Sequence, residues 1–283
     1  MESPRKRLGE MGLAPSRARG QNFIRDPSVA GKIADLVAGE ARAGGLAGPL
    51  GVVEVGPGLG ALTGPLLGRG LRVTAVEVDR GLAEALGRWP EAGEGLTVLG
   101  RDVLGLDLER DLGGGERVVC GNLPYNLSTP ILFWFMDQAR VAPRGIFMLQ
   151  REMARRLVAG CGGREYGRLS VAVSLWYEAR TVLAVPAEAF RPRPRVESSV
   201  VLLRLRGEPP TAGERAALGR LTAAAFFSRR KTILNNLVAR YGRAVATEAL
   251  GRLGIDPGLR AEALDPATLA ALAGILEAGG PDG

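Results

Sequence analysis

Short apolar runs alternate with helically spaced stretches through most of the chain. Gly51–Val55, Arg72–Glu77, Leu96–Leu99, Arg117–Gly121 and Gly145–Gln150 are compact and rich in aliphatic residues, as strands buried on both faces are. Val171–Trp176 and Ser199–Leu205 are two later strand candidates. Asp26-Pro27 has the form of an N-cap followed by a first helical residue, and Val29, Ile33, Leu36 and Val37 follow at helical spacing. Ala41 to Leu50 is a Gly/Ala-rich connection, and a further helix is expected from Leu62. Strands alternating with helices predict an α/β fold with a doubly wound, mostly parallel sheet. The last strands lie close together in sequence, which predicts one antiparallel strand at an edge. After the break Gly207-Glu208-Pro209-Pro210 the pattern is helical only. Thr211 and Glu214 form a capping box ahead of Leu218, Leu221 and Ala225. Ile233, Leu234, Leu237, Val238 and Tyr241 make a second stripe, and Asp265-Pro266 opens a last helix bearing Leu269, Leu272, Ile275 and Leu276. The expected organisation is therefore a basic N-terminal arm (1–20), an α/β domain (21–206) and a small all-helical C-terminal domain (207–283).

Composition narrows the chemistry. The chain has 283 residues, 46% of them hydrophobic, enough to bury a real core. No apolar stretch follows Arg5, Lys6 and Arg7, and no run is long enough to span a bilayer, so no membrane and a cytoplasmic location are expected. Cys120 and Cys161 cannot form a disulfide framework or a metal cluster by themselves. Histidine is absent, which removes His triads and His-ligated metals, so no metal is expected, nor an imidazole ionisation near pH 6 to 7 in the rate of any reaction. The net charge of +7 suggests a polyanionic partner, with nucleic acid first.

Val52-Val53-Glu54-Val55-Gly56-Pro57-Gly58-Leu59-Gly60 reads as a strand running into a glycine-rich turn. Such a turn lets backbone approach a ligand closely. Its third glycine comes one residue earlier than in the dinucleotide fingerprint. A carboxylate at position 54 would repel a pyrophosphate and suits a ligand without phosphate and with a cationic end. S-adenosylmethionine, with its ammonium and sulfonium groups, has both properties. Glu77, 17 residues after Gly60, ends the second strand and can accept both ribose hydroxyls. Asp102 follows the third strand and can accept from an adenine amino group. A nicotinamide-dependent oxidoreductase is disfavoured by the glycine spacing and by Glu54.

Asn122-Leu123-Pro124-Tyr125 follows the fourth strand, at the carboxyl edge where α/β sheets bind ligands. The exocyclic nitrogen of adenine is a poor nucleophile, because its lone pair is delocalised into the ring. The Asn122 side-chain oxygen and the Leu123 carbonyl can accept its two hydrogens and favour a pyramidal nitrogen. Pro124 fixes the loop, and Tyr125 can stack on the base.

With these motifs the chain resembles the ribosomal RNA adenine N6,N6-dimethyltransferases, and within them the bacterial small-subunit branch. The resemblance runs from about Arg19 into the helical C-terminal part. Gly20-Gln21-Asn22-Phe23-Ile24, Glu54 to Gly60, Glu77-Val78-Asp79, Asp102-Val103 and Asn122 to Asn126 are similar to five of the family's motifs. Phe190-Arg191-Pro192-Arg193-Pro194-Arg195-Val196-Glu197-Ser198 resembles the late motif whose phenylalanine stacks on the target base. Phe226 through Arg229-Arg230-Lys231-Thr232 resembles the basic stretch of the C-terminal domain.

The resemblance implies a Rossmann-like methyltransferase sheet and S-adenosyl-L-methionine as cofactor. Asn22, Ile24, Gly56, Glu77, Asp102 and Asn122 would contact it, beside Glu54, Gly58 and Gly60 of the turn. Tyr125 and Phe190 would clamp a flipped base. Arg229, Arg230 and Lys231 would open a helix and contact RNA phosphates. The implied substrate is a pair of adjacent adenines in the 3′-terminal hairpin of 16S ribosomal RNA, within the small subunit or its precursor, each receiving two methyls. A monomer with a role in small-subunit biogenesis is expected. Two alternatives stand beside this reading. One is a large-subunit adenine methylase of the macrolide-resistance kind, which typically has isoleucine in place of Leu123 and serine in place of Asn126. The other is a ribosome-assembly factor whose catalysis is secondary.

Overall fold

The computed structural model describes residues 22–43 and 51–278. The expected basic arm, Gly20-Gln21 of the first motif and most of the Gly/Ala-rich connection lie outside the described residues. In chain order the elements are β1 (Phe23–Ile24), α1 (Pro27–Ala43), β2 (Gly51–Val55), α2 (Thr63–Leu67), β3 (Arg72–Val76), α3 (Arg80–Gly87), β4 (Leu96–Leu99), α4 (Leu108–Leu112), β5 (Arg117–Asn122), α5 (Ser128–Asp137) and β6 (Arg144–Gln150). They continue as α6 (Arg151–Leu157), α7 (Arg168–Trp176), β7 (Tyr177–Val185), β8 (Phe190–Arg191), β9 (Ser198–Leu205), α8 (Ala212–Ala225), α9 (Ile233–Tyr241), α10 (Arg243–Arg252) and α11 (Pro266–Ala278).

Seven strands form one sheet in the order β4-β3-β2-β5-β6-β9-β7. The first five are parallel to their neighbours, and β9 runs antiparallel to β6. The antiparallel strand is thus one place in from the edge, because β7 continues the sheet beyond it. The order reverses between β2 and β5, and at such a switch point the loops leaving the carboxyl ends part and open a crevice. Strands β2, β5 and β6 are buried over nearly their whole length, as a sheet covered on both faces requires. Helix α1 lies on this core through Val29, Ile33, Ala34 and Val37. The buried Glu40 carboxylate anchors it to β9, accepting from Arg204 Nε at 2.9 Å. Gly121 stands where β5 crowds β2: a Cβ there would lie 2.4 Å from the Val55 carbonyl oxygen.

By its internal packing the chain divides into two compact units. One contains the described residues up to Ala154 together with Arg180–Arg204. The other contains Arg155–Ala179 and the described residues from Leu205 on. The sequence pattern puts the boundary at 207 alone, whereas the second unit also takes in 155–179. Within that unit α7 and α8 both pack on α11. Tyr166 donates to the Leu264 carbonyl at 3.1 Å and meets Phe226 edge-on at 5.9 Å.

Val171–Trp176, expected as a strand, is the body of α7. Leu169 to Val173 are buried in succession, so the segment has no period-two alternation and suits a helix covered nearly all round. Ser170 starts it, accepting from the Gly167 N–H at 3.2 Å and donating to the Arg156 carbonyl. The capping box at Thr211 and the cap at Asp265 form as expected.

Replacing Gly121 with alanine should lower the unfolding free energy by about 3 kcal/mol, the upper end for overpacking, because both facing groups are backbone. Urea denaturation reads this, and an unchanged midpoint would contradict the close approach of β2 and β5.

Candidate active site

One cleft opens at the carboxyl ends of β2, β3 and β5 within the first unit. It is lined by Asn22 and Ile24, by Glu54, Gly56 and Gly58, by Glu77 and Asp102, and by Asn122, Leu123, Pro124 and Tyr125. The structure therefore brings together eleven residues that the sequence had scattered over a hundred positions.

Its floor is the glycine turn after β2. Gly56, Gly58 and Gly60 all have positive φ, near 60° to 75°, a conformation open to glycine and strained for other residues. The Gly56 N–H donates to the Val76 carbonyl at 2.9 Å, tying the turn to the end of β3. Phe23 lies over Gly58, where a Cβ would be 2.9 Å from its ring. Gly60 is not part of the lining. Its empty side faces Trp89, 2.4 Å from where a Cβ would stand, so this glycine serves packing and not ligand approach.

Two carboxylates meet beneath the turn. Glu54 is buried and accepts a 2.6 Å hydrogen bond from the Thr63 hydroxyl at the start of α2. Burial pushes its pKa up to about 7; the Thr63 hydrogen bond opposes this, and the Glu77 charge adds to it. An ionisation thus lies near neutrality although the chain has no histidine. Glu77 is also buried; its Oε2 accepts from the Gly58 N–H at 3.1 Å and its Oε1 from the Asp79 N–H at 2.9 Å. Asp102 caps a short turn through Leu104 N at 3.0 Å. The one basic side chain on the wall, Arg101, is committed to Asp111 and to the Gly105 carbonyl. Three acids, one of them titrating near neutrality, against one tied arginine favour a cationic group over a pyrophosphate in this cleft.

Opposite the acids, Asn122 closes β5. Its Nδ2 donates to the Asn22 carbonyl at 2.7 Å. A carbonyl only accepts, so this bond settles which end of the amide carries nitrogen and leaves Oδ1 as an acceptor. The Leu123 N–H is taken by the Met148 carbonyl at 3.1 Å, and the Pro124 carbonyl accepts from Ser128 at 3.0 Å, so the loop is fastened on both sides. The Tyr125 hydroxyl is 3.3 Å from Ser198 Oγ on β9. Burial raises the pKa of this phenol, partly offset by the Ser198 bond.

Residues 16–277 match the family described as Ribosomal RNA adenine dimethylase. The chain belongs to that family. Among its relatives, the Ribosomal RNA small subunit methyltransferase A of Methylococcus capsulatus is 44% identical over 256 residues, 90% of this chain and 95% of that protein. The one from Myxococcus xanthus is 38% identical over 277 residues, covering 96% and 94%. Of solved structures, the 23S rRNA methyltransferase ErmE aligns with a TM-score of 0.63 at 26% identity, over 90% of this chain and all of that one. A dimethyladenosine transferase from Plasmodium falciparum aligns at 0.68 and 23% identity, over 88% and 95%, and supports the fold.

In this adenine dimethylase chain two sequence expectations fall elsewhere. Phe190, expected to stack on a base beside Tyr125, is 2% exposed and does not line the cleft. It pairs with Ile24 across β1 and β8 and packs with Ala189 and Val200 in the core. Arg229, Arg230 and Lys231 lie in the second unit and do not open a helix: α9 begins at Ile233 with Thr232 as its cap. Arg229 donates to the carbonyls of Arg164 and Tyr166 and pairs with Glu262 at 3.6 Å, so it braces that unit internally. Arg230 and Lys231 are exposed. Conversely, sequence reasoning missed Thr63 and Ser198, which orient Glu54 and Tyr125, and the exposed apolar wall residues Val78 and Leu104. An apolar residue standing alone among acids at a strand exit, as Val78 does, is the one signal that could have found them.

The raised pKa has a consequence for stability. Between about 4.5 and 7 the folded chain keeps a proton that the unfolded chain has released, so stability is full below that window and falls as pH rises through it, by up to about 3 kcal/mol. Thermal unfolding from pH 5 to 8 should show this decline, and Glu54→Gln, which can still accept from Thr63, should remove most of it. Parallel pH profiles for the two proteins would contradict the assignment.

Proposed function

We propose that this chain is an S-adenosylmethionine-dependent dimethyltransferase acting on N6 of two adjacent adenines in the 3′-terminal hairpin of 16S ribosomal RNA. The observation that carries the reading is the cleft itself, which gathers buried Glu54 and Glu77 and an oriented Asn122 amide in one lining. S-adenosylmethionine fits this donor set. The buried acid near Thr63 suits its cationic methionine end, the Glu77 carboxylate suits the ribose hydroxyls, Asp102 suits the adenine amino group, and Val78 and Leu104 offer apolar surface to the adenine ring. When bound, it supplies a methyl group on a positively charged sulfur, an already activated leaving group.

The rest of the chemistry falls to the protein. Asn122 Oδ1 and the Leu123 carbonyl accept the two amino hydrogens of the target adenine and draw its lone pair out of conjugation. Such preorganised acceptors act without a titrating base. Tyr125 stacks on the base and is steadied by Ser198. The methylated nitrogen is acidic and releases its proton to water, which readies it for a second transfer. In the second unit Arg230 and Lys231 contact phosphate oxygens, which positions RNA without reading sequence. The small-subunit substrate is supported by relatives of 38% and 44% identity named for that subunit, and by Leu123 and Asn126, which differ from the large-subunit pattern. A role in small-subunit biogenesis in the cytoplasm is compatible with the same activity.

The test is methyl transfer from labelled S-adenosylmethionine to small subunits lacking adenine dimethylation, with the modified bases mapped. Four methyl groups on two neighbouring adenines per particle are expected; label confined to other bases or to large subunits would refute the reading. Asn122→Ala should lower the rate about 10²–10³-fold with both substrates saturating. Near-normal turnover would remove Asn122 from the chemistry, and cofactor affinity measured alongside separates a binding loss from a chemical one.

A further inference from the structure

Phe227 is 81% exposed, more than any other large apolar side chain among the described residues. It sits in the turn between α8 and α9, and the turn is not loose. The Phe227 N–H donates to the Ala224 carbonyl at 3.1 Å, and Lys231 N–H to the Ser228 carbonyl at 3.1 Å. The buried Asn236 side chain holds the turn from beneath, donating to the carbonyls of Ala225 at 2.7 Å and Ser228 at 3.0 Å and accepting from the Ser228 N–H at 3.3 Å. Arg229 locks it from the side by donating to two carbonyls of the 164–166 segment. The preceding Phe226 is turned inward against Tyr166, so its neighbour is directed outward. An exposed phenyl ring adds nothing to the core of this unit. It is nevertheless held on a fixed turn, three and four residues before the exposed cations Arg230 and Lys231.

We propose that Phe227 stacks on an unpaired base of the RNA substrate while Arg230 and Lys231 hold the adjoining phosphates. Aromatic faces accept any base, and a ring fixed in advance loses little freedom on binding. Pairing one aromatic with neighbouring cations is the general device for single-stranded nucleic acid. The two kinds of contact differ in salt dependence: phosphate contacts release counterions and stacking does not. The proposal rests on the RNA-methylating reading of the chain.

Binding to small ribosomal subunits lacking adenine dimethylation, and to the protein-free 16S RNA, is measured over a salt series. Phe227→Ala should weaken both roughly 5- to 150-fold, the range that base stacking spans. The slope of log affinity against log salt should stay unchanged. Phe227→Trp should restore binding and Phe227→Leu should not. The double change Arg230→Ala with Lys231→Ala should instead flatten the slope by about 1.4. Unfolding temperatures should match for all Phe227 variants, since the side chain is exposed. The proposal is overturned if Phe227→Ala binds within twofold of the parent, or if leucine restores binding as well as tryptophan. It is also overturned if the loss appears on particles but not on protein-free RNA, which would make the partner a ribosomal protein. If the parent chain binds neither particle nor RNA, the RNA-methylating reading itself fails.

Discussion

The first unit is organised around a buried carboxylate at the floor of its cleft. Glu54 sits at the end of a strand buried on both faces, under a turn whose positive φ angles exclude side chains from Gly56 and Gly58. Thr63 donates to it, and Glu77 stands close enough to oppose its charge. Burying such a group is unfavourable without a counter-charge. Among the described residues lining the cleft the one arginine, Arg101, is turned to Asp111 and Gly105. The glycine turn, the position of Glu77 and the tie from Gly56 to β3 all follow from holding this carboxylate at the switch point of the sheet.

The opposite wall obeys a complementary constraint. There the protein needs an acceptor of defined direction, and it obtains one by spending the Asn122 amide nitrogen on the Asn22 carbonyl. The segment bearing Asn22 is pinned in turn, because β1 pairs with β8 and Arg25 N–H donates to the Ala189 carbonyl at 2.7 Å. Residues 22–24 and 189–191 thus form a support for the loop that starts at Asn122. Phe190 contributes to that support from the core side, which is a different task from touching the base.

Much of the site was legible in the sequence because its residues stand where strands end. The acids Glu54, Glu77 and Asp102 and the loop Asn122–Tyr125 each terminate an apolar run, and parallel strands bring such ends to one edge. What was not legible depends on contacts between distant residues. Nothing local shows that Trp89 lies over Gly60, or that Arg229 faces the carbonyls of 164 and 166 instead of RNA. Val171–Trp176 was misread for another reason: a short apolar run with valines fits a buried strand and a buried helix equally, and Ser170 decides between them through its bonds to Gly167 and Arg156. The strand β7 went unseen because its middle is polar and largely exposed, as the last strand of a sheet can be.

Glu54, protonated in part near neutrality, should give up its proton on receiving the cationic end of S-adenosylmethionine. Calorimetric titration with S-adenosylmethionine in buffers of different ionisation enthalpy measures that directly. The account predicts affinity that rises from pH 5.5 to 8 and release of roughly half a proton per site near pH 7, both lost in Glu54→Gln. Binding that is independent of pH and exchanges no proton would contradict it.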